Sequence, residues 1–270
     1  MTFAERAAEL DSARPASFRL RAALRGGGLR VLRARRRQPS PGVRIVHYHH
    51  VFTDELRGFA RQIALFRREF EPVSLSEAVR RLREGEIGGR ELVVTFDDGF
   101  RNQLEQAAPL LREQGITGCF FLVNDLLSAN AEHAGEICRE RLHLPRPVEP
   151  LGWDDAPRLL ELGHEIGSHT KSHPNLAELR PAELDAELRE SRVELGRRLG
   201  TAIQHFSAPY GETQRFTPEV SEAARAAGFE SCATAQRGVN TSGDDVFALR
   251  REHLIATWPA EDARYFLTRS

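Results

Sequence analysis

Cysteine is scarce in this chain. Its 270 residues hold three, Cys119, Cys138 and Cys232. An odd, low count does not build a disulfide framework, and Cys119 and Cys232 lie in apolar, strand-like runs. Buried, reduced thiols are the expectation, and with them a reducing compartment. Long apolar stretches are missing too: none approaches the roughly 18 to 20 residues needed to cross a bilayer. The N-terminus has no continuous apolar core of the kind an export signal carries. The expected location is therefore cytoplasmic, with the inner face of the membrane as a further option. Excess charge of one sign is also lacking. A net charge of -1 argues against nucleic acid as a partner. Lysine is nearly absent, Lys171 standing alone against 37 arginines, which we ascribe to codon usage.

Charge is uneven along the chain. Residues 1–42 form a basic extension, with ten arginines against three acids through Ser40, ending in Arg33-Ala34-Arg35-Arg36-Arg37. The expectation is a solvated segment, partly helical or disordered. Its polybasic end also suits peripheral contact with an anionic membrane surface.

From Val43 to the end at Ser270, strand-like and helical patterns alternate as one domain. Strands are expected at Val43–Tyr48, Glu91–Phe96, Thr117–Val123, His164–Ser168, Ala202–Ser207, Phe229–Thr234 and Ala248–Ala256. Between them Leu56, Phe59, Ile63, Phe66 and Phe70 recur at helical spacing. Ser74 and Glu77 form a capping-box pattern. Helices are also expected at Gln103–Gln114, at Trp153–Leu162 and after Pro181 and Pro218. Repeated βα units predict a parallel sheet, most simply an α/β barrel of about seven strands. Residues 126–151 interrupt the rhythm and read as a surface excursion near one rim. It contains His133, Cys138 and His143, whose spacing matches no metal site.

What the chain does have is concentrated in two strings, Thr95-Phe96-Asp97-Asp98-Gly99 and His169-Thr170-Lys171-Ser172-His173-Pro174. Each follows a strand. Together they offer three ligands for a divalent metal and a spare carboxylate as base. Alone, Asp97 and Asp98 could equally cap a helix. His169 and His173 could share a helix face, although Pro174 makes a continuing helix awkward. His49 follows the first strand, and Pro209-Tyr210-Gly211 follows Ala202–Ser207. In a parallel barrel all these strand ends open on one rim. Alternation points His47 and His49 inward and Val46 and Tyr48 outward. His47 lies one layer deeper and reads as a hydrogen-bonded core histidine. By the same parity Asp97 points inward with Val93 and Thr95.

These strings, with Phe206-Ser207-Ala208-Pro209-Tyr210-Gly211, Tyr48-His49-His50-Val51 and Leu249-Arg250-Arg251, resemble the polysaccharide deacetylase family (NodB homology, carbohydrate esterase family 4). The resemblance covers Val43 to about Thr257. It implies a deformed (β/α) barrel and a metal ion, zinc first with cobalt or nickel as options, held by Asp98, His169 and His173. It implies Asp97 as catalytic base and the Tyr210 backbone N–H as part of an oxyanion hole. The early Tyr-His pair is similar to the subgroup whose catalytic acid sits on the N-terminal strand, which implies His49 as acid. Pro209, Trp153 and Arg251 are the expected substrate-binding residues, though Trp153 could instead pack at a helix start. Many members carry an arginine where this chain has Ser207, and that arginine pairs with the base. Arg250 or Arg251 is the expected replacement. The activity implied is removal of an N-acetyl group from an amino sugar in a glycan, a lipid-linked sugar or a glycoside. A small-molecule amidohydrolase and a non-catalytic carbohydrate-binding relative are the alternatives. Oligomeric state is not legible.

Overall fold

The computed structural model describes residues 2–13 and 40–268. The polybasic stretch Arg33–Arg37 lies outside the described residues. Seven strands run in parallel order β7-β6-β5-β4-β3-β1-β8, with β2 (Glu71–Pro72) attached to β3. They are β1 (Gly42–Tyr48), β3 (Arg90–Phe96), β4 (Gly118–Leu122), β5 (Glu165–Ser168), β6 (His205–Ser207), β7 (Ser231–Ala233) and β8 (Glu252–His253). All seven residues of β1 are buried, as expected of a strand covered on both faces.

The sheet closes on itself through residues 249–254. Leu249 bridges Ala233 in parallel, its N–H donating to Cys232 O at 2.9 Å, while β8 pairs with β1 at Val46 and His47. The long last strand expected from the sequence is thus cut to β8 and one bridge. The result is the deformed barrel.

Side-chain parity follows the pleat. Tyr48 and Phe96 point outward onto α2 (Leu56–Glu69), where the Tyr48 hydroxyl donates to Gln62 Oε1 at 2.6 Å and its ring meets Phe59 edge-on at 5.1 Å. Phe96 stacks on Phe120 at 4.7 Å. Truncating a buried ring of this kind costs about 3–5 kcal/mol. Inward positions instead carry Thr95, Asp97 and Arg251, all buried.

Local signals explain most boundaries. Ser74 caps α3 (Leu75–Glu84) by accepting from the Glu77 N–H, and Gly85 ends it in the left-handed conformation. The helix expected at 103–114 splits into a π turn, Gln103–Ala107, and α4, Ala108–Glu113. Pro109 has no N–H to offer the Glu105 carbonyl, and the extra residue in the turn absorbs that gap. The helix expected from Trp153 starts only at Pro157 and runs to Glu161. The helix expected to open at Pro181 runs from Pro181 to Leu199.

Two departures lie near the rim. Residues 126–151 are not bare loop: Asn130 caps a helix at Ala131–Glu140. The segment returns antiparallel to residues 99–101, with the Leu151 N–H on Gly99 O. His133, Cys138 and His143 do not converge: His133 faces Glu136, and the Cys138 thiol faces Val148 O. Residues 2–13, rather than standing in solvent, pack Ala4, Ala7 and Leu10 against Phe52, Phe100, Cys138 and Val148. Asp54 accepts from the Ala7 N–H at 3.0 Å, at the start of the helix Ala7–Ala13.

Candidate metal centre

Each site residue is delivered by the end of a strand. The Asp97 N–H donates to Tyr48 O at 3.0 Å, carrying the β1–β3 pairing one residue past the ladder. Asp98 then adopts φ 76°, and the Gly99 N–H returns to Asp97 O at 3.1 Å. This three-residue turn separates two carboxylates that are neighbours in sequence. Gly99 has φ 86°, and a Cβ there would stand 2.9 Å from Leu122 Cδ2. The His169 N–H donates to Leu122 O at 2.8 Å, placing that ring on the same rim.

The 169–173 segment is not a helix. Thr170 and His173 have φ values of 70° and 58°, and Thr170 Oγ1 accepts from the His173 N–H at 2.9 Å. Glu187, from the helix Pro181–Leu199, accepts from the Lys171 and Ser172 N–H groups at 3.0 Å each and from the Ser172 hydroxyl at 2.7 Å. That carboxylate clamps the loop that carries both imidazoles.

The outcome is a three-residue cluster. His169 Nε2 and His173 Nε2 each lie 3.6 Å from Asp98 Oδ1. This is too long for hydrogen bonds. It matches the roughly 3.4 Å edge of a tetrahedron whose ligands sit about 2.1 Å from a shared ion. All three residues are buried, and among the described residues Asp98 Oδ1 has no hydrogen-bond partner. His169 Nδ1 meets Ser207 O at 2.7 Å; a carbonyl can only accept, so Nδ1 carries the proton and Nε2 keeps its lone pair free. Burial lowers the pKa of both histidines, leaving neutral imidazoles, the state a metal requires. An oxygen and two nitrogens at this spacing fit a divalent cation such as zinc.

The two aspartates titrate in opposite directions. Burial pushes Asp98 well above the ordinary carboxylate range, and Asp97 adds to it. Burial acts on Asp97 in the same sense, but the charge and hydrogen bonds of Arg251 outweigh it and hold that carboxyl well below 3.8. Arg251 Nη1 and Nη2 each lie 2.8 Å from one Asp97 oxygen. Nη2 also reaches Ser207 Oγ at 2.8 Å, and Nε donates to Thr234 O at 2.8 Å. Arg251 therefore takes the place left vacant at Ser207. It is buried behind the base, so its expected role as a substrate-binding residue is corrected. Arg250 turns the other way, to Val239 O and Asp244.

His49 stands half-buried at the mouth, its pKa lowered by burial and by neighbouring His253, with Asp97 opposing. His47 stacks on His253 at 4.9 Å, and among the described residues its buried Nδ1 has no hydrogen-bond partner. His50 faces Glu55 at 3.0 Å. Sequence reasoning missed His253, which pairs with His47 across β8 and β1. It also missed Gln103, whose amide donates to His49 O at 2.7 Å and to Asp97 O, and so ties two rim segments together. It missed the Glu187 clamp as well.

Pro209 is buried, and the Gly211 N–H closes on its carbonyl at 2.7 Å around Tyr210, whose φ is 62°. The Tyr210 N–H makes no hydrogen bond to a described residue. Its ring meets His173 edge-on at 5.1 Å. Trp153 is elsewhere. Its indole N–H donates to Ser128 Oγ at 2.8 Å, and its ring lies under Arg198 at 4.4 Å. Those contacts join flanking helices, as in the helix-start packing that was the alternative expectation. Backbone strain concentrates at the site. Among the described residues, the non-glycine positions with positive φ are Asp98, His143, Thr170, His173 and Tyr210. Four carry or adjoin the cluster, and the fifth, His143, stacks on Tyr210.

Known proteins share this architecture. The solved structure of IcaB from Ammonifex degensii superposes with a TM-score of 0.70 at 22% identity, covering 86% of this chain and 99% of that one. A Streptococcus pyogenes deacetylase, PplD, solved with acetate, gives 0.69 at 17%, covering 84% and 98%. In sequence, the peptidoglycan-N-acetylglucosamine deacetylase of Bacillus cereus is 29% identical over 149 residues, 54% of this chain and 46% of its own length. The chain spans about half the length, or less, of the curated relatives it matches. The family profile described as polysaccharide deacetylase matches residues 84–232, a span that takes in both aspartates, both cluster histidines and Tyr210. With more than half of the sequence inside that profile and the barrel matching solved deacetylases, the chain belongs to the polysaccharide deacetylase family.

Proposed function

We propose that the protein is a metal-dependent hydrolase that removes N-acetyl groups from amino sugars in a glycan, a lipid-linked sugar or a glycoside. The observation that carries this is the convergence of Asp98 Oδ1, His169 Nε2 and His173 Nε2 beside a second carboxylate, Asp97, held ionised by Arg251. Asp98, His169 and His173 would hold the ion, zinc first, with cobalt or nickel as substitutes. When bound, the ion supplies Lewis acidity, bringing the pKa of water from ~16 towards ~7 and polarising the acyl oxygen.

The chain's own groups do the rest. Asp97 takes the proton of the attacking water. Arg251 holds both of its oxygens and so sets the carboxylate's orientation. The free Tyr210 N–H donates to the oxygen that becomes anionic as water adds; losing one such donor costs about a hundredfold or more. His49, which must first take up a proton, hands it to the sugar nitrogen, which leaves as a neutral amine; acetate is the other product, and the proton taken by Asp97 returns to solvent. That role for His49 is the one expected of the subgroup whose acid lies on the first strand. The three buried free thiols fit a reducing, cytoplasmic setting, which belongs to the same proposal.

The test is acetate release from N-acetylglucosamine oligomers by protein stripped of metal and reloaded with zinc or cobalt. Asp97→Asn is expected to lose at least about a hundredfold in turnover while retaining its metal, and His49→Asn likewise. Reloaded wild-type protein that frees no acetate from any N-acetylated sugar would refute the proposal.

A further inference from the structure

The rim beside the metal centre carries two arginines without carboxylate partners. The Arg215 guanidinium lies over the Tyr210 ring, 4.6 Å from its centroid. The Tyr210 hydroxyl donates to the Arg141 carbonyl, which fixes the 126–151 excursion to the rim. The Arg141 guanidinium makes only long contacts, to Ser172 O at 3.4 Å and Ser172 Oγ at 3.5 Å, next to His173. Among the described residues neither guanidinium meets a carboxylate. The carboxylates that Tyr210 senses are Asp98, in the cluster, and Glu178, which the Asn175 amide holds at 2.6 Å.

The Arg141 side chain is exposed and Arg215 is half-buried, and among the described residues neither has a carboxylate within ion-pair distance. A guanidinium stacked on an aromatic face leaves its N–H edges free in the plane, the arrangement that grips a phosphate or carboxylate with two parallel bonds. The Tyr210 ring meets the Arg215 guanidinium and also the cluster residue His173, while Arg141 reaches Ser172, next to His173, so an anion held here would lie on the same rim as the cluster.

We infer that Arg141 and Arg215 form an oxyanion-binding subsite beside Tyr210, and that the substrate is an amino sugar bearing a phosphate or carboxylate on the adjoining unit. This rests on the deacetylase function proposed above, but its test does not need turnover. Calorimetric titration of Asp97→Asn protein compares a neutral N-acetylglucosamine oligomer with the same oligomer carrying a phosphate monoester and with one carrying a uronic acid carboxylate. At least one charged oligomer is expected to bind about tenfold tighter than the neutral one. The better of the two identifies the anion, and the preference should fade as salt is raised. Arg215→Gln and Arg141→Gln should each remove most of the preference, and Arg215→Lys should restore part of it. Equal affinity for neutral and charged oligomers would overturn the inference. So would an Arg215→Gln protein that weakens both alike. Acetate release from the neutral oligomer by the wild type is measured separately. If it is absent while the charge preference and its loss in the variants persist, the hydrolase proposal falls and the subsite stands.

Discussion

Replacing Arg251 with glutamine tests how the site keeps its base ready. The side chain is 1% exposed and contributes two 2.8 Å bonds to Asp97, so the substitution leaves a buried carboxylate without its cation. Removing one partner of a buried pair costs about 3–5 kcal/mol. The pH dependence follows from the sign of the shift. In the wild type the Asp97 pKa is depressed, so the pair's contribution is present above 3.8 and lost as pH falls below it. In the variant burial acts unopposed by that guanidinium, and the carboxyl's pKa rises. A raised carboxyl costs stability that appears as pH climbs above 3.8 and levels off once it ionises. Urea unfolding of Arg251→Gln should therefore show a deficit of about 3–5 kcal/mol at pH 7 and a smaller one at pH 4.5. The double variant Asp97→Asn/Arg251→Gln should recover part of the loss, because no unpaired charge remains. Acetate release should fall about a hundredfold at pH 7, with the acid limb of its pH profile displaced upward. An Arg251→Gln protein with the wild-type urea midpoint at both pH values and undiminished turnover would refute the reasoning.

Other consequences are simpler. Asp98→Asn and His173→Ala should each lose bound zinc on dialysis, read by elemental analysis, with unchanged far-UV circular dichroism. Because burial raises the Asp98 pKa, metal-free Asp98→Asn should unfold at a urea concentration no lower than metal-free wild type at pH 7. Gly167→Ala would set a Cβ 2.4 Å from Phe121 Cδ1 and 2.9 Å from the His205 carbonyl, and backbone cannot swing aside. A loss of about 1–3 kcal/mol is expected, read as a lower midpoint in a thermal melt. The cysteines are buried, with thiol pKa values raised by burial, Cys138 to about 11. They should resist an aromatic disulfide reagent at pH 8 and react in guanidinium.

The Asp98, His169 and His173 cluster was legible because both strings are local. Asp97 and Asp98, and His169 and His173, keep their meaning wherever the strands lie, and strand ends place them on one rim. Parity carried Tyr48 outward and Asp97 inward correctly, since β1 and β3 are regular. It failed where regularity failed. The last strand is cut to two residues and a bridge, so alternation could not separate Arg250 from Arg251 or bring up His253. Gln103 and Glu187 were invisible because each acts across a gap between elements, from a π turn and from mid-helix, through contacts that no local pattern encodes. Trp153 lies ahead of the helix expected to begin with it, because that helix starts only at Pro157.

The Asp97–Arg251 bond also has a temporal side. The base comes from the third strand and its counterion from the segment that completes the ring, 154 residues later in the chain. During synthesis the metal ligands are all in hand long before that closing segment emerges. On the function proposed above, a polypeptide that ends before Arg251 would carry all three cluster residues and yet leave Asp97 without its guanidinium partner.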